Sequence, residues 1–304
     1  MCMRLAHCSD LHLLSHDGAG IAKLMNKRWI GAANLLTNRS RHYHVAAFEQ
    51  MVDDMNALGI EHVLCTGDVT NLALEQEFQF AKGKFDRLAL GPTNVTVLPG
   101  NHDAYVAEGV ELFGKIFGDY NTPDAGWEWP DGSHWPLVRV RGDLALIGVT
   151  TSRATPWFTA YGTVGEEQLA RLREVLADSR LHGKVRVVAI HHPPAGKRAE
   201  SKIRGLHDHE AFAAVIQEGG ANLIVHGHEH RDMSEQLLGP SGPIPVRGVA
   251  SGTYEHGHPE RTARYRIYEI AGGHIASDHV RVWNREHGRF EAGSGTPQQS
   301  NIAT

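Results

Sequence analysis

The 304-residue sequence has little cysteine, and its three cysteines are poorly placed for cross-linking. Cys2, Cys8 and Cys65 form no CxxC pair, so neither a disulfide framework nor a cysteine-rich zinc site is expected. Cys8 and Cys65 lie in apolar runs typical of strands, and we interpret them as buried free thiols. This cysteine usage predicts a reducing environment and a cytoplasmic protein.

Long hydrophobic runs and an excess of positive charge are also absent. No run reaches the roughly 18 apolar residues of a membrane-spanning helix, and residues 1–10 lack the basic and apolar segments of a signal peptide. The 30 Lys and Arg against 35 Asp and Glu leave a net charge of −5, so no nucleic-acid binding is expected. A hydrophobic share of 41% and a charged share of 21% exclude a disordered chain.

Histidine, by contrast, is abundant, with 21 residues in the chain. Imidazole is the commonest metal ligand among side chains, and it titrates near neutral pH. Metal chemistry is therefore the first hypothesis that the composition suggests.

Short apolar runs alternate with segments of helical period along most of the chain. Helical period is present in 43–58, 74–88 and 169–176. The runs expected to be strands are Arg4–Cys8, His62–Cys65, Val95–Leu98, Leu144–Val149, Val185–Ile190, Asn222–Val225, Ile244–Val249, Tyr265–Ile270 and His279–Trp283. This alternation predicts an α/β fold with strands buried on both faces. From about residue 243 onward the pattern is strand-like only, which predicts a second sheet.

We predict a single domain at 1–287 and a flexible tail at 288–304. Neither an internal repeat nor a change of composition divides the chain earlier. The domain contains a basic insert at 16–45, which is considered below.

Polar clusters follow five of the apolar runs, at the point where each predicted strand ends. In chain order they are Asp10-Leu11-His12, Gly67-Asp68, Gly100-Asn101-His102-Asp103, His191-His192 and Gly227-His228-Glu229-His230. In α/β sheets the carboxyl ends of strands are where ligands bind. Because strand side chains alternate, Asp10 and His12 are expected to point the same way, as are His228 and His230. The pattern predicts one site built from several strand ends.

The ordered set D-x-H, G-D, G-N-H-D, H-H-P-P and G-H-E-H covers residues 10–230 and resembles the calcineurin-like metallophosphoesterase superfamily. The resemblance implies a four-layer α-β-β-α sandwich, with two mixed β-sheets flanked by helices and a binuclear metal site at the strand carboxyl ends. It implies that Asp10, His12 and His230 hold one metal ion and that Asn101, His191 and His228 hold the other. Asp68 would bridge the two ions, and His102 would stay free of metal.

Two close divalent or mixed-valence cations suit hydrolysis of a phosphoric ester. A shared carboxylate damps their repulsion, and the pair clamps the attacking and leaving oxygens of a phosphoryl centre. A water between them loses a proton near neutral pH and attacks phosphorus. His102 is expected to protonate the leaving oxygen, with Asp103 orienting its ring. Imidazole and carboxylate ligands suit Mn, Fe, Co, Ni or Zn and do not distinguish them.

Two further histidines are expected to support the centre without binding metal. His192 follows a ligand and precedes Pro193-Pro194, which favours hydrogen bonding over coordination. His226 alternates with His228 and is expected either to support the site or to pack in the strand.

The insert at 16–45 carries five Lys and Arg against one Asp, a local charge of +4, interleaved with apolar residues. It is either a solvated helix packed on the domain, or a lid beside the metals that contacts lipid headgroups and an anionic membrane surface. Its candidate substrate-binding residues are Lys27 and Arg28. A second cationic stretch after the H-H-P-P turn offers Arg198 and Arg204, which either complete a phosphate pocket or lie on a surface loop.

The insert sequence K-R-W-I-G-A-A-N resembles the K-R-x-x-G-x-x-N stretch of bacterial phospholipase C-like members that cleave glycerophospholipids. We therefore predict a phosphodiesterase acting on such lipids, peripheral to the inner face of the membrane. A 3′,5′-cyclic nucleotide phosphodiesterase is one alternative, although such enzymes connect the first two motifs more briefly. A non-catalytic scaffold of the same fold is the other, disfavoured because His102 and every ligand position are filled. Self-association through edge strands stays open.

Overall fold

The computed structural model describes residues 2–13, 43–255 and 258–293. The strands in these ranges are β1 Met3–Cys8, β2 His62–Cys65, β3 Val95–Val97, β4 Leu137–Arg141, β5 Leu144–Val149, β6 Val185–Ile190, β7 Leu223–His226, β8 Met233–Gly239, β9 Gly242–Gly248, β10 Arg264–Ala271, β11 His274–Asn284 and β12 Arg289–Ala292. The helices are α1 Val45–Ala57, α2 Glu75–Phe85, α3 Ala107–Phe117, α4 Glu166–Ala177, α5 Gly196–Ala199 and α6 His209–Gly219. Short 3₁₀ turns lie at Pro92–Asn94, Gly118–Tyr120, Ser179–Leu181 and Pro259–Arg261.

The strands form two mixed sheets of six strands each. The first has the order β12-β11-β10-β1-β2-β3, with β1, β2 and β3 parallel and β10 antiparallel to β1. The second has the order β4-β5-β6-β7-β9-β8, with β5, β6, β7 and β9 parallel and an antiparallel strand at each edge. The parallel strands place their carboxyl ends at a common edge of each sheet.

Three apolar cores fix the order of the layers. One lies between the first sheet and helices α1 to α3, where it includes Phe48, Phe78 and Phe117. A second lies between the other sheet and helices α4 and α6, where it includes Leu172 and Phe212. The third fills the space between the sheets with side chains contributed by strands of both. This is the four-layer α-β-β-α sandwich that the resemblance implied, and that prediction is confirmed.

The helices predicted from periodicity are present as α1, α2 and α4. The start of α2 is fixed by Glu77, whose carboxylate accepts hydrogen bonds from the backbone N–H groups of Leu72 and Leu74 at 2.9 and 3.1 Å. A carboxylate in the first turn satisfies N–H groups that have no partner inside a helix. Helices α3 and α6 and strands β4 and β8 are additions to the predicted elements.

The strand-rich end of the chain does not form a sheet of its own, so that prediction is wrong. Strand β9 joins the second sheet beside β7, whereas β10 to β12 extend the first sheet beyond β1. The pairing is favourable because β10 buries alternate residues such as Tyr265 and covers the edge of β1.

The predicted flexible tail also needs correction at its start. Residues Arg289–Ala292 form β12, and Phe290 is buried with its ring 5.4 Å from that of Tyr265 and 5.5 Å from that of Trp283. Residues 294–304 lie outside the described ranges, so a flexible tail there stays a prediction. Among the residues that the structure describes, no helix is both long and apolar enough to cross a membrane.

Candidate binuclear metal centre

Five loops meet at the carboxyl ends of β1, β2, β3, β6 and β7, and hydrogen bonds join them to one another. The backbone N–H of Asp10 donates to the carbonyl of Gly67 at 2.9 Å, and that of His12 donates to Asp68 at 2.9 Å. The N–H of His228 donates to Oδ2 of Asp10 at 2.9 Å, which links the two sheets. The loops thus bring together all seven predicted metal ligands, Asp10, His12, Asp68, Asn101, His191, His228 and His230.

Most of these side chains project from turns of left-handed backbone just beyond the strands. Five residues other than glycine have positive φ here, namely Asp10 (54°), His12 (44°), Asp68 (56°), His228 (71°) and His230 (51°). Such conformations cost about 1–3 kcal/mol each and persist only where the surroundings impose them. Asp10 and His12 do lie in the same group of ligand atoms, but strand alternation is not the reason, because β1 ends at Cys8.

The first group of ligand atoms comes from Asp10, His12, Asp68 and His230, whose candidate ligand atoms all lie within 4.8 Å of one another. His12 Nε2 lies 3.3 Å from His230 Nε2 and 3.7 Å from Asp68 Oδ2. His230 Nε2 also lies 3.2 Å from Asp10 Oδ1. Two imidazoles and two carboxylates around one point match the preferences of a divalent transition metal.

The second group comes from Asn101, His191 and His228. Asn101 Oδ1 lies 3.1 Å from His191 Nε2 and 2.8 Å from His228 Nδ1, and these two ring nitrogens are 3.3 Å apart. His191 and His228 are fully enclosed, with exposed fractions of 0% and 2%.

Asp68 connects the two groups. Its Oδ2 faces His12 at 3.7 Å, and its Oδ1 faces His191 Nε2 at 3.6 Å. The backbone N–H of His102 donates to Oδ1 at 2.7 Å and holds the carboxylate in place. Gly100 leaves room for it, because a Cβ there would lie 2.2 Å from Oδ1. The carboxylate is therefore placed as a bridge between two ions.

Protonation of the rings agrees with metal binding. His12 Nδ1 lies 3.2 Å from the carbonyl of Thr70, and His191 Nδ1 lies 2.7 Å from that of Thr66, so each Nδ1–H donates and Nε2 carries a lone pair. Those lone pairs face other acceptors, such as Asn101 Oδ1, an arrangement that is unfavourable without a cation between them. The donor set thus fits the two metal ions.

The pKa shifts agree with this assignment. Burial lowers the pKa of His191 and of His228, so both rings stay neutral. Burial alone raises the pKa of Asp10, but with no cation between them the charge of His230 and its hydrogen bond outweigh burial and hold that pKa well below its ordinary value. A bound metal ion would take the place of the proton on His230. Neutral imidazoles and an ionised carboxylate are the forms that bind metal.

His102 lies beside the first group without joining it. Its ring meets that of His12 edge to face at 4.8 Å and stacks on Tyr105 at 5.6 Å. Its Nδ1 lies 2.7 Å from the carbonyl oxygen of Asn71, which fixes the ring orientation.

Asp103 does not orient the ring of His102, so that part of the prediction is wrong. Its buried carboxylate accepts hydrogen bonds from the N–H groups of Val69, Thr70 and Gly100 and from the Thr70 hydroxyl, at 2.8–3.1 Å. Burial raises the pKa of Asp103 to about 6 despite these donors. The residue joins the loops after β2 and β3 and acts on the site through the backbone.

The two supporting histidines differ in what they contact. Both ring nitrogens of His192 have partners, the Thr151 hydroxyl at 2.7 Å and the carbonyl of Ala160 at 3.0 Å, and its ring lies 4.4 Å from that of His228. His226 is buried, with Nδ1 3.0 Å from the carbonyl of Gly227 and its ring against Gly248. One ring nitrogen of His192 lies within 4.8 Å of ligand atoms of His191 and His228, but both of its nitrogens already have hydrogen-bond partners, which favours a supporting role.

The candidate substrate-binding residues are less completely placed. Lys27 and Arg28 lie outside the described residues, as does 16–42 of the insert. Arg198 and Arg204 are exposed, and Nε of Arg198 lies 3.2 Å from Glu229 Oε2. Burial is the main cause of the low pKa of His228, and the charges of His192, His191 and Arg204 lower it further.

Two contributors to the site were not predicted. The hydroxyl of Tyr43 lies 3.0 Å from His230 Nδ1, and the Tyr43 ring meets that of His12 at 4.8 Å. Asn71 orients His102 through its carbonyl and donates from its side chain to the carbonyl of His12 at 2.8 Å. No local motif marks either residue, because both act through contacts between distant parts of the chain.

Comparison with known proteins agrees with this geometry. The family model described as calcineurin-like phosphoesterase matches residues 3–232. No curated protein matches the chain.

Several solved structures share the fold. A purple acid phosphatase from yellow lupin (Lupinus luteus) superposes with a TM-score of 0.63 and 12% identity over 96% of this chain and 53% of that one. A dimetal phosphatase from Danio rerio superposes with a TM-score of 0.58 and 12% sequence identity, over 91% of this chain and 95% of that one. This chain therefore spans about half the length of the lupin enzyme. At such identities the similarity shows the fold alone, whereas the family match covers most of the chain. The chain belongs to the calcineurin-like phosphoesterase family, whose members use two divalent metal ions.

Proposed function

We propose that the chain hydrolyses phosphoric esters at two transition-metal ions and that its substrates are phosphodiesters. The observation that carries the proposal is the placement of Asp68, with one carboxylate oxygen toward each group of ligands. The family match supports a phosphoester substrate. Whether that substrate is a diester or a monoester depends on residues around the metal centre.

The ligand residues divide into two sets that share Asp68. Asp10, His12 and His230 would hold one ion, and Asn101, His191 and His228 would hold the other. When bound, the ions supply positive charge at the phosphoryl group and make water a nucleophile near neutral pH.

His102 is suited to deliver a proton to the leaving oxygen. Its Nδ1 hydrogen bond to the Asn71 carbonyl fixes the ring with Nδ1–H as the donor. A proton for the leaving oxygen would then be delivered from Nε2 once the ring has taken up a second proton. The hydrogen bond from the His102 backbone to Asp68 keeps this ring in register with the bridging carboxylate.

Glycerophospholipid is the substrate class that we propose first. Its support is the short K-R-x-x-G-x-x-N similarity in the insert, together with exposed cations near the centre. Of these, Arg204 is the better placed for a substrate phosphate, since Glu229 already pairs with Arg198.

The proposal is tested by hydrolysis of bis(p-nitrophenyl) phosphate by protein loaded in turn with Mn²⁺, Fe²⁺, Co²⁺, Ni²⁺ or Zn²⁺. Wild type should release p-nitrophenol, and Asp68→Asn should abolish turnover. Asp143→Asn, an exposed aspartate on the β4–β5 turn, is the matched control and should retain full activity. Absence of turnover with every metal would contradict the hydrolase proposal.

The substrate class is tested separately by product analysis. A glycerophospholipid, a 3′,5′-cyclic nucleotide and a phosphomonoester are offered at equal concentration. The proposal predicts the highest kcat/KM for the lipid. Preference for the cyclic nucleotide or the monoester would replace the lipid assignment and leave the hydrolase intact.

A further inference from the structure

Exposed apolar side chains are concentrated beside the metal centre. Among the described residues, the large apolar side chains that are exposed are Val110, Trp157, Phe158, Ile203 and Leu238. Three of these five, Trp157, Phe158 and Ile203, lie in two neighbouring loops, and Phe158 is 77% exposed. We call these three residues the apolar tip. Contiguous apolar exposure of this kind marks a contact surface more often than scattered single residues do.

The two loops that carry the apolar tip are joined as a short ladder. The N–H of Ala160 donates to the carbonyl of Ile203 at 2.8 Å, and the N–H of Gly162 donates to that of Gly205 at 2.9 Å. The rings of Tyr161 and His207 stack at 3.9 Å. The apolar tip is therefore a built part of the surface, held by backbone pairing.

The first of these loops is anchored on residues that adjoin metal ligands. His192 Nε2 lies 3.0 Å from the carbonyl of Ala160, and the hydroxyl of Ser152 donates to the carbonyl of Pro99 at 2.6 Å. His192 follows the ligand His191, and Pro99 precedes the G-N-H-D loop. The loop that carries Trp157 and Phe158 is thus held at both ends by residues next to candidate ligands, on the edge of the sandwich where the metal centre lies.

The backbone at the apolar tip is shaped to expose it. Phe158 has φ of 63°, an unfavourable conformation for a bulky residue. The hydroxyl of Thr159 donates to the carbonyl of Pro156 at 2.7 Å, and that of Thr155 donates to the carbonyl of Thr159 at 2.8 Å, which closes the turn around Trp157 and Phe158. Local bonding therefore maintains a strained residue whose ring faces solvent.

The charge around the apolar tip is strongly positive although the chain as a whole is negative. The two segments 153–160 and 197–204 carry Arg153, Lys197, Arg198, Lys202 and Arg204 against Glu200, and Glu229 pairs with Arg198, which leaves a local charge of +3 in a chain of −5. All five cations are exposed. Aromatic side chains surrounded by Lys and Arg are typical of surfaces that contact anionic lipid.

We propose that the apolar tip and its surrounding cations dock the protein on an anionic lipid bilayer, with Trp157 and Phe158 inserted at the headgroup level. A second copy of the chain is a poorer occupant, because a twofold contact through this surface would place like charges opposite each other. The purpose of docking rests on the proposed phosphodiesterase, since the bilayer would present lipid diesters beside the metals. Docking itself is measurable without turnover.

The test is co-sedimentation with vesicles of phosphatidylcholine containing phosphatidylglycerol, compared with pure phosphatidylcholine. Wild type should bind the anionic vesicles, and binding should weaken as salt rises. Trp157→Ser combined with Phe158→Gly should lower affinity at least about tenfold, since each aromatic group contributes buried apolar area. Glycine is chosen at 158 because it accepts positive φ. Leu238→Ser, on β8, removes an equally exposed apolar side chain elsewhere and should leave binding unchanged.

Two further measurements keep docking testable if the double variant does not fold. Lys202→Gln should lower affinity for anionic vesicles by about fivefold, the share expected of one cation near an anionic surface. Brominated lipid should quench wild-type fluorescence more than that of Trp157→Phe. If wild type fails to bind anionic vesicles, or if brominated lipid quenches both proteins equally, the docking proposal is overturned. Turnover of the soluble diester without vesicle binding would reject docking and leave the hydrolase proposal standing. Vesicle binding without turnover would reject the hydrolase proposal and leave docking standing.

Discussion

At the level of single residues, His102 differs from the other histidines of the centre in what its ring contacts. Like His12 and His191, His102 bonds through Nδ1 to a backbone carbonyl, but its ring belongs to neither group of candidate ligand atoms. Its ring packs between His12 and Tyr105. These contacts suit a residue that moves a proton beside the metals.

Replacement of His102 by Asn should therefore affect poor leaving groups most. An alkyl leaving oxygen needs a proton as the bond to phosphorus breaks, so kcat for an alkyl diester should fall about 10²–10⁴-fold. p-Nitrophenolate leaves readily without a proton, so kcat for its diester should fall far less. Both rates are measured on protein whose metal content equals that of wild type. Equal losses on the two substrates would contradict a role in proton transfer.

The resemblance carried by the motif set names seven candidate ligands, and the structure brings all seven together because each motif follows a strand at the same edge of a sheet. The sequence prediction fails for Asp103, whose carboxylate turns toward the backbone of Val69 and Thr70. It also fails for Tyr43, which reaches His230 across 187 residues of chain. Contacts of this kind depend on how loops pack, and adjacent residues carry no signal of them.

At the level of elements, buried parallel strands and amphipathic helices follow from periodicity, while other elements do not. Helix α3 contains Gly109, which lowers helix propensity. That glycine is required because a Cβ there would lie 2.6 Å from Ala73 Cβ and 2.7 Å from the carbonyl oxygen of Asp103. Strand β8 lies at a sheet edge with no residue fully buried, so its sequence lacks a clear apolar run.

Strand β2 also carries a buried histidine that should contribute to the loss of stability in acid, as should other buried histidines with lowered pKa values. Burial, with the charges of Arg139 and Arg141, lowers the pKa of His62 well below its ordinary value, and Nε2 lies 2.9 Å from the Thr96 hydroxyl. Below about pH 6.5 the unfolded chain binds a proton that the folded chain does not, so stability falls as pH falls.

At pH 5 the proton that only the unfolded chain binds at His62 lowers the free energy of unfolding by about 2 kcal/mol. This is the product of about 1.5 pH units and 1.36 kcal/mol per unit. His62→Gln keeps a partner for Thr96 and removes the titration. Urea unfolding at pH 7 and pH 5, with chelator present, should therefore show a shallower loss of stability in the variant. Parallel pH dependences for the two proteins would contradict the assignment of a buried neutral ring.

At the level of the whole molecule, the proposed centre lies across both sheets. Asp10, His12, Asp68 and Asn101 follow strands of the first sheet, whereas the histidines at 191, 228 and 230 follow strands of the second. The overall sandwich was predictable because the ordered motifs carry the family resemblance that implies it. The sheet to which β10, β11 and β12 belong was not predictable, because their pairing depends on which sheet edge the other strands leave open.

Away from the centre, Arg139 joins the two sheets. The side chain lies on β4 of the second sheet with 1% exposed, and its guanidinium donates to the carbonyls of Pro92, Thr93 and Val95 beside β3 of the first sheet. Arg139→Met would remove this donor. The Pro92 carbonyl keeps a partner in the backbone N–H of Val95, and the Thr93 carbonyl keeps one in Arg141. The lost hydrogen bonds should nevertheless lower stability by about 3 kcal/mol or more. Urea unfolding measures this as a lower midpoint at unchanged m-value.

Arg173→Met is the matched control for that change. Arg173 is half exposed and pairs with Glu218 at the surface, so its loss should cost less than about 1 kcal/mol. Equal effects of the two substitutions would show that Arg139 does not carry a link between the sheets.

The central claim is that this chain binds two metal ions joined by Asp68, and the metal content of dialysed protein tests it most directly. Wild type equilibrated with Mn²⁺ should hold two ions per chain, and Asp68→Asn should hold no more than one at the same free metal concentration. Asp143→Asn should match wild type. A wild-type protein that holds one ion or none, or an Asp68→Asn variant that holds two with unchanged affinity, would contradict the account.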